Sequence, residues 1–239
     1  MAERAGELLT RAGAALAEAA YRTGDFDSVD GLLRKALALA EADGDLTSQA
    51  AALDLQGQLR HSRTIDLPPE EWQSVDPAPE QELFERALAI RRQIRDQAGV
   101  AESLLHLGWV HQVLRGVADV SMPMFREALA LVEPDGDVHV RSELHRHIGF
   151  HLVVEDRRPE KALPHFETSL ELWRSLGEPA REVFGLVALA RCESDAGRHR
   201  EALAHSREAL ELARQGLFRA RVVTAAESTW RMVEDAARR

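Results

Sequence analysis

Small residues recur at a spacing of about 40 positions, and this period limits the folds open to the chain. Gly108, Gly149 and Ala190 are each 41 residues apart, midway along segments with the apolar spacing of a helix. A second helical segment follows each of the first two, with Phe125 and Phe166 at equivalent positions. A small residue lets two antiparallel helices approach closely, while a bulky residue opposite fills the space beside the contact. The pattern therefore predicts an all-α fold of stacked helix pairs.

The same spacing extends towards the N-terminus through Gly57 and Ala17. It defines five repeats, and the apolar spacing of the last residues predicts one further helix that caps the final repeat. We expect residues 1–239 to form a single domain. Its predicted parts are repeats at about 8–43, 45–96, 98–135, 138–177 and 180–214, and a capping helix at about 217–237.

The second repeat is longer than the others. Gly57 and Gly108 are 51 residues apart, about ten more than the usual interval, and the excess lies in the proline-rich stretch 64–79. Its four prolines exclude a continuous helix, and loops of this length in compact folds are usually functional or mobile. Trp72 in this loop is interpreted either as a lid over a binding groove or as an anchor that pins the loop to its own repeat, and we favour the anchor.

The repeats resemble the tetratricopeptide repeat family, whose hallmarks are a small residue in the first helix and a glycine at the turn before the second. Gly24, Gly116 and Gly197 match the turn glycine, and Glu201-Ala202 follows the last of them as the family pattern suggests. A period of about 40 rather than the usual ~34 is similar to the longer-helix variety found in bacterial regulator and signalling proteins. The resemblance implies a right-handed superhelical solenoid in which the first helices line a concave groove.

In this family, ligand-binding residues lie at fixed positions around the small residue of each first helix. Carried over to this chain, those positions imply a groove that is apolar and aromatic in the middle and charged towards its ends, which suits a peptide channel or a pocket. Leu105, Val153 and Val187 share this face and could instead pack between adjacent repeats. The implied groove residues are Tyr21, Asp54, Gln58, His61, Glu102, Trp109, Gln112, Glu143, Arg146, Phe150, Phe184 and Arg191.

Histidines and carboxylates also recur with helical spacing in the third and fourth repeats. Glu143, His147 and His151 lie at i, i+4 and i+8 and share one helix face, and Glu102 and His106 repeat the first part of this spacing one repeat earlier. Imidazole and carboxylate are ligands that suit zinc or iron, and a Glu beside a His can also act as an acid–base pair. The alternative is that these are ordinary solvated helix pairs or hydrogen-bonded contacts between repeats.

Composition excludes several other classes. Forty acidic against thirty basic residues give a net charge of −10, the wrong sign for a protein that binds phosphate backbones. The single cysteine, Cys192, cannot form an internal disulfide, and the longest apolar run is far shorter than the roughly 20 residues needed to span a bilayer. The N-terminus lacks the pattern of a signal peptide. We therefore expect a cytoplasmic protein that binds neither nucleic acid nor membrane.

These features favour a non-catalytic protein that holds a peptide or partner protein in its groove, in a regulatory or scaffolding role and without a cofactor. The alternative is a small-molecule-binding protein or an enzyme that uses the Glu/His residues with zinc or iron. Self-association into a homo-oligomer is also possible.

Overall fold

The structure is a computed structural model that describes residues 4–238, apart from the side chains at 69 and 73. Within this range the chain is built from α-helices joined by short turns, as the sequence predicts. Residue contacts divide the chain into two compact units, unit 1 ending at Leu131 and unit 2 beginning at Val132. The single domain expected from the sequence remains a prediction.

In the described part of unit 1, six helices form three hairpins. The first helix of each hairpin is called its A helix and the second its B helix, and each helix from the first to the fifth packs against the next. The A helices are α1 (Ala5–Glu18), α3 (Leu46–Ile65) and α5 (Gln97–Trp109), and the B helices are α2 (Phe26–Asp43), α4 (Ala78–Gln93) and α6 (Ala118–Val132), which ends at the unit boundary.

Unit 2 contains two further hairpins and a C-terminal helix within the described residues. That last helix packs against both helices of the preceding hairpin and caps the final repeat, as predicted. The A helices here are α7 (Val138–Val154) and α9 (Pro179–Asp195), the B helices are α8 (Pro159–Leu176) and α10 (His199–Gln215), and the cap is α11 (Ala220–Ala237).

Aspartates fix the starts of several helices. The side chains of Asp25, Asp45, Asp96 and Asp137 each accept a hydrogen bond from the backbone N–H three residues later, which satisfies a donor left free at a helix N-terminus. Short polar caps at repeated positions therefore set the boundaries of α2, α3, α5 and α7 locally.

Glycine governs the turns inside most hairpins. Gly24, Gly116 and Gly197 have φ values of 77°, 63° and 75°, in the left-handed region that favours glycine. The fourth hairpin places Arg157 at this position, 41 residues after Gly116, with φ 54°. The turn geometry is thus shared even where the glycine is not.

The predicted contact between a small residue and an aromatic ring is confirmed in three hairpins. A Cβ added to Gly57 or Gly108 would overlap the ring of Phe84 or Phe125, respectively. A Cβ on Gly149 would lie only 2.8 Å from the ring of Phe166. Because each phenylalanine lies on the B helix of the same hairpin and is 2% exposed or less, these pairs form the hairpin cores.

The first hairpin differs from this pattern. Ala17, assigned from the sequence to the same small-residue position, is exposed, whereas Ala12 and Leu16 are buried. A π-helical turn follows α1 at Ala19–Thr23, as another follows α5 at Val110–Leu114, so the turn glycine gives the same reference point in both hairpins. Counting back eight residues from the turn glycine, as in the third repeat, reaches Leu16 rather than Ala17.

The long segment of the second repeat is shorter than the predicted 64–79. α3 continues to Ile65, a 3₁₀ turn occupies Pro69–Ser74, and α4 begins at Ala78. The indole Nε1 of Trp72 donates to the carbonyl of Leu67 at 2.9 Å. This bond lies inside the loop itself, which favours the anchor interpretation of Trp72 over the lid.

Across residues 4–238, no helix has both the length and the apolar character that crossing a membrane requires.

Candidate functional site

Four side chains from three consecutive helices of unit 1 form a polar group that we call the Asp54 cluster: Asp54 on α3, Arg91 on α4, and Glu102 and His106 on α5. Arg91 Nη1 lies 3.4 Å from Asp54 Oδ1, and Nη2 donates to Glu102 Oε2 at 2.6 Å. His106 Nδ1 lies 2.9 Å from Asp54 Oδ2. Asp54 and His106 are only 1% and 3% exposed. Two carboxylates therefore share one guanidinium at a buried position.

Arg91 is also held by groups other than carboxylates. Its Nη1 donates to the carbonyl of Gly99 and to the hydroxyl of Ser103, both at 2.8 Å. A Cβ at Gly99 would lie 2.6 Å from Arg91 Nε, so only glycine leaves room for this side chain. The start of α5 thus fixes the guanidinium independently of the acidic residues.

The two carboxyl groups of the cluster differ in pKa. Burial would raise the pKa of Asp54, but His106 and Arg91 outweigh it and hold that pKa below its usual value. Burial raises the pKa of Glu102, and the negative charge of Asp54 raises it further, against the opposing effect of Arg91. Asp54 and Arg91 are therefore the charged pair, while Glu102 lacks a full counter-charge.

Aromatic rings surround the imidazole of this cluster. The ring of Trp109 lies 4.4 Å from that of His106 and 5.2 Å from that of His61, and the ring of Phe84 lies 5.1 Å from that of His106. His61 Nδ1 is in turn 2.8 Å from Glu80 Oε1. Trp109 remains half-buried, so a partly exposed indole is held against neighbouring side chains of α3 and α5.

Unit 2 repeats this sequence pattern with other partners. Glu143 and His147 on α7 lie 41 residues after Glu102 and His106. Arg146 donates to Glu143 Oε2 through Nε at 2.9 Å and Nη2 at 2.6 Å, while Arg181 Nη1 donates to Oε1 at 2.9 Å. We call Glu143, Arg146 and Arg181 the Glu143 cluster. Here one carboxylate is held by two guanidinium groups.

The pKa of Glu143 shifts in the opposite direction to that of Glu102 in unit 1. Burial would raise the pKa of Glu143, but Arg146, Arg181 and His147 hold it far below its usual value. The two guanidinium groups also lie over aromatic rings, Arg146 at 5.4 Å from the centroid of Phe150 and Arg181 at 4.7 Å from that of Trp173. The cluster is thus a charged carboxylate within a cationic and aromatic setting.

The structure brings several predicted groove residues together within each unit. Asp54, Gln58, His61, Glu102 and Trp109 are linked in unit 1 through the Asp54 cluster, with Gln58 donating to Asp54 at 3.4 Å.

The other predicted groove residues are placed differently. In unit 2, Glu143, Arg146 and Phe150 are neighbours, whereas Phe184 lies below the guanidinium of Arg221 and Arg191 is exposed. Tyr21 and Gln112 fall in the two π turns, Ala19–Thr23 and Val110–Leu114, and both are half-buried.

The predicted metal ligands fall into both units. Within residues 4–238, the one set of three potential ligands whose ligand atoms all lie within 4.8 Å of each other is Asp54, Glu102 and His106. Glu143 is bound by two arginines, and the nearest carboxylate recorded for His151 Nε2 is Asp156, at 3.6 Å. The spacing in unit 2 therefore places these residues on one helix without gathering three ligands.

Sequence reasoning selected Arg146 but missed Arg91 of the Asp54 cluster and Arg181 of the Glu143 cluster. In α4, Phe84, Ala87, Leu88 and Arg91 follow the i, i+3, i+4, i+7 spacing of a buried helix face, and all four are buried. An arginine in such a stripe is a usable signal, because a charge at a core position requires a buried partner. Arg181, which lies in the first turn of α9, gave no comparable signal.

Residues 141–215 match the model of a family described as tetratricopeptide repeat. This stretch of unit 2 contains tetratricopeptide repeats. Among solved structures, the crystal structure of BtubC (BKLC) from P. vanneervenii is similar, with a TM-score of 0.58 and 20% sequence identity over 79% of this chain and 73% of that one. At this identity the likeness shows the fold alone. None of the curated protein sequences compared with the chain matches it.

Proposed function

We propose that this tetratricopeptide repeat protein binds a peptide segment or a partner protein through the A-helix surfaces around Trp109 in unit 1 and Phe150 in unit 2. Tetratricopeptide repeats generally mediate protein–protein interaction or scaffolding. The observation that carries the proposal is a half-buried aromatic side chain at the same repeat position in both units, next to an ionic cluster.

The physical basis is pre-organisation. His61 and His106 pack against the indole of Trp109, and Arg146 lies over Phe150, so both aromatic rings are already held in place. A side chain that is fixed before binding loses little conformational entropy in the complex. Aromatic residues and arginine are also the residue types that most often dominate binding energy at protein interfaces.

The test uses a probe of defined chemistry. The full chain is immobilised, a random peptide display library is selected on it, and dissociation constants of the enriched peptides are measured by fluorescence polarisation for the wild type, Trp109→Ala and Phe150→Ala. We expect each substitution to weaken binding at least tenfold if its unit contacts the peptide, since removal of a central aromatic typically costs about 2 kcal/mol.

Trp230→Ala provides the matched control. Trp230 is also a half-buried tryptophan beside an arginine, with Arg207 5.4 Å from its ring, but it lies on the capping helix α11. The proposal predicts unchanged peptide affinity for this variant, with circular dichroism confirming that all variants are folded. Enriched peptides that bind the Trp109 and Phe150 variants as tightly as the wild type would exclude these surfaces.

We further propose a regulatory or scaffolding role in the cytoplasm. The only cysteine is Cys192, which is 1% exposed, and burial raises the pKa of its thiol to about 12. A thiol that is buried and protonated needs no oxidising compartment, which supports a reducing one. Localisation of a fluorescently tagged chain in its source cell tests this assignment, and a signal at the cell envelope would contradict it.

A further inference from the structure

The Asp54 cluster and the Glu143 cluster pair their carboxylates and arginines in opposite proportions. At the equivalent repeat positions, unit 2 pairs one carboxylate with two arginines, whereas unit 1 pairs the carboxylates of Asp54 and Glu102 with one, Arg91. Two carboxylates at a buried site are costly unless positive charge balances them. The two carboxylates on one arginine therefore make unit 1 the more favourable of the two places for a further cation.

The imidazole of His106 gives an independent indication of a ligand. Its ring is 3% exposed, and Nδ1 has no hydrogen-bond partner although it lies 2.9 Å from Asp54 Oδ2. Buried polar atoms in native proteins are almost always hydrogen-bonded or bound to an ion or water. An imidazole nitrogen that points at a carboxylate without hydrogen-bond geometry is oriented for an ion bound by both groups.

The distances fit one small ion. The ligand atoms of Asp54, Glu102 and His106 all lie within 4.8 Å of one another. Metal–ligand bonds to oxygen or nitrogen are about 2.0–2.2 Å, so two ligands on opposite sides of an ion are about 4 Å apart. Movements of the ligand atoms by less than about 1 Å would therefore complete the coordination of one ion.

We propose that Asp54, Glu102 and His106 bind one divalent transition-metal ion in unit 1. One imidazole and two carboxylates suit Zn²⁺, Fe²⁺ or Mn²⁺, and three protein ligands leave further coordination positions for water or an exogenous group. Of these ions, Zn²⁺ should bind most tightly, as the usual order of affinities dictates.

Arg91 binds both carboxylates, but it has other partners that hold it when an ion takes its place beside Glu102. Arg91 keeps its bonds to the carbonyl of Gly99 and the hydroxyl of Ser103 when Glu102 turns to the metal. Ser103 Oγ and Gln58 Nε2 both donate to Asp54, at 3.4 Å, and orient its carboxylate from outside the coordination sphere.

The proposed metal site is open to solvent on one side and covered by aromatic rings on another. The side chain of Glu102 is 35% exposed, which leaves a route for the ion to enter, while the rings of Phe84 and Trp109 cover His106. The metal site does not depend on peptide binding, because its ligands are all contributed by the chain itself.

The test is titration of the metal-free full chain with zinc chloride by isothermal calorimetry, with melting temperature measured in parallel. We expect one Zn²⁺ per chain and a higher melting temperature with Zn²⁺. His106→Gln and Asp54→Asn should each weaken binding at least a hundredfold and abolish the shift in melting temperature. Glu102→Gln, at the most exposed ligand, is the variant least expected to disturb folding and should weaken binding at least tenfold.

His147→Gln is the matched control, because it makes the same change at the same repeat position in unit 2. It should leave zinc affinity and stoichiometry unchanged. Absence of zinc binding to the wild type, or zinc affinity unaffected by Glu102→Gln and His106→Gln, would overturn the proposal. Loss of affinity in His147→Gln equal to that in His106→Gln would overturn it too, since binding would then not be confined to unit 1.

Discussion

Glu102 in unit 1 and Glu143 in unit 2 occupy the same repeat position, four residues before a histidine, yet their pKa values shift in opposite directions. The difference comes from neighbours: Glu102 shares Arg91 with Asp54, whereas Glu143 is bound by two arginines, Arg146 and Arg181, the second of which also pairs with Glu178. A repeated motif therefore does not carry a repeated charge state. The partners contributed by adjacent helices decide it.

The largest expected difference between the two units is the effect of removing each carboxylate. Glu143→Gln takes a counter-charge from the partly buried Arg146 and leaves Arg181 with Glu178, so it should lower the free energy of unfolding by about 3 kcal/mol. Glu102→Gln removes a repulsion with Asp54 while Arg91 keeps its other partners, so its cost should stay below about 1 kcal/mol. Urea unfolding of metal-free protein at pH 7 measures both.

Equal losses for the two variants would show that the arginine partners do not control these carboxylates. Circular dichroism before unfolding confirms that both variants start from a helical fold.

Packing, in contrast to charge, should behave alike in the two units. Gly108→Ala and Gly149→Ala each force a methyl group against the ring of a buried phenylalanine, at a cost of about 2 kcal/mol. Phe125→Leu in the Gly108→Ala background, and Phe166→Leu in the Gly149→Ala background, should recover part of that loss by making space. Chemical denaturation of the single and double variants gives the coupling free energy between each glycine and its phenylalanine. Purely additive losses of stability would argue against the steric contact.

Glu143 and Glu102 should also differ in how they make the free energy of unfolding depend on pH, although this effect is smaller. The pKa of Glu143 is lowered in the folded state, so its contribution to stability is complete above the unfolded value, near 4.5, and is lost as the pH falls below it. The pKa of Glu102 is raised, so its protonated form favours folding at low pH and this contribution is lost as the pH rises through the folded value.

Unfolding free energies measured from pH 4 to pH 8 in the absence of metal test both signs. Relative to the wild type, Glu102→Gln should remove a loss of stability that occurs as the pH rises above about 4.5, and Glu143→Gln should remove a loss that occurs as the pH falls towards 4. Parallel pH curves for the wild type and Glu102→Gln would contradict the raised pKa.

The smallest expected effect concerns a turn in unit 2. Arg157 has φ 54° where Gly116 and Gly197 occupy the equivalent turns. Left-handed backbone costs a residue with a Cβ about 1 kcal/mol, so Arg157→Gly should raise the free energy of unfolding by up to about 1 kcal/mol. Gly197→Ala should lower it by a similar amount, and thermal unfolding of the two variants would show whether the changes have opposite signs.

The sequence predicted those features that depend on local spacing. The contacts of Gly57, Gly108 and Gly149 with phenylalanine follow from a period of small and large residues, and the turns at Gly24 and Gly197 follow from the conformational freedom of glycine. The choice of Trp109 and Phe150 as binding residues rests on the same period and remains a prediction. Spacing works here because each hairpin packs within about 40 consecutive residues.

Pairs of side chains that do not recur with the repeat period were not predictable in this way. Arg91 reaches Asp54 from 37 residues away, and Arg181 reaches Glu143 from 38 residues away. Asp54 was selected as a groove residue, but its partnership with Glu102 and His106 required the packing of α3 against α5. The register error at Ala17 is one residue, because the position eight before the turn glycine is Leu16, which is buried.

The π turns at the ends of α1 and α5 also change the helical register, so that side chains before and after each turn point in independent directions. Residues before the turn, such as Trp109, are oriented by the hairpin core, whereas those within it, such as Gln112, are oriented by the distance to the following glycine. A residue can therefore be inserted or removed there without rotating the aromatic surface. Under the proposed function, substitutions at the end of the A helix would therefore change the side chains beside a bound peptide without moving the surface around Trp109.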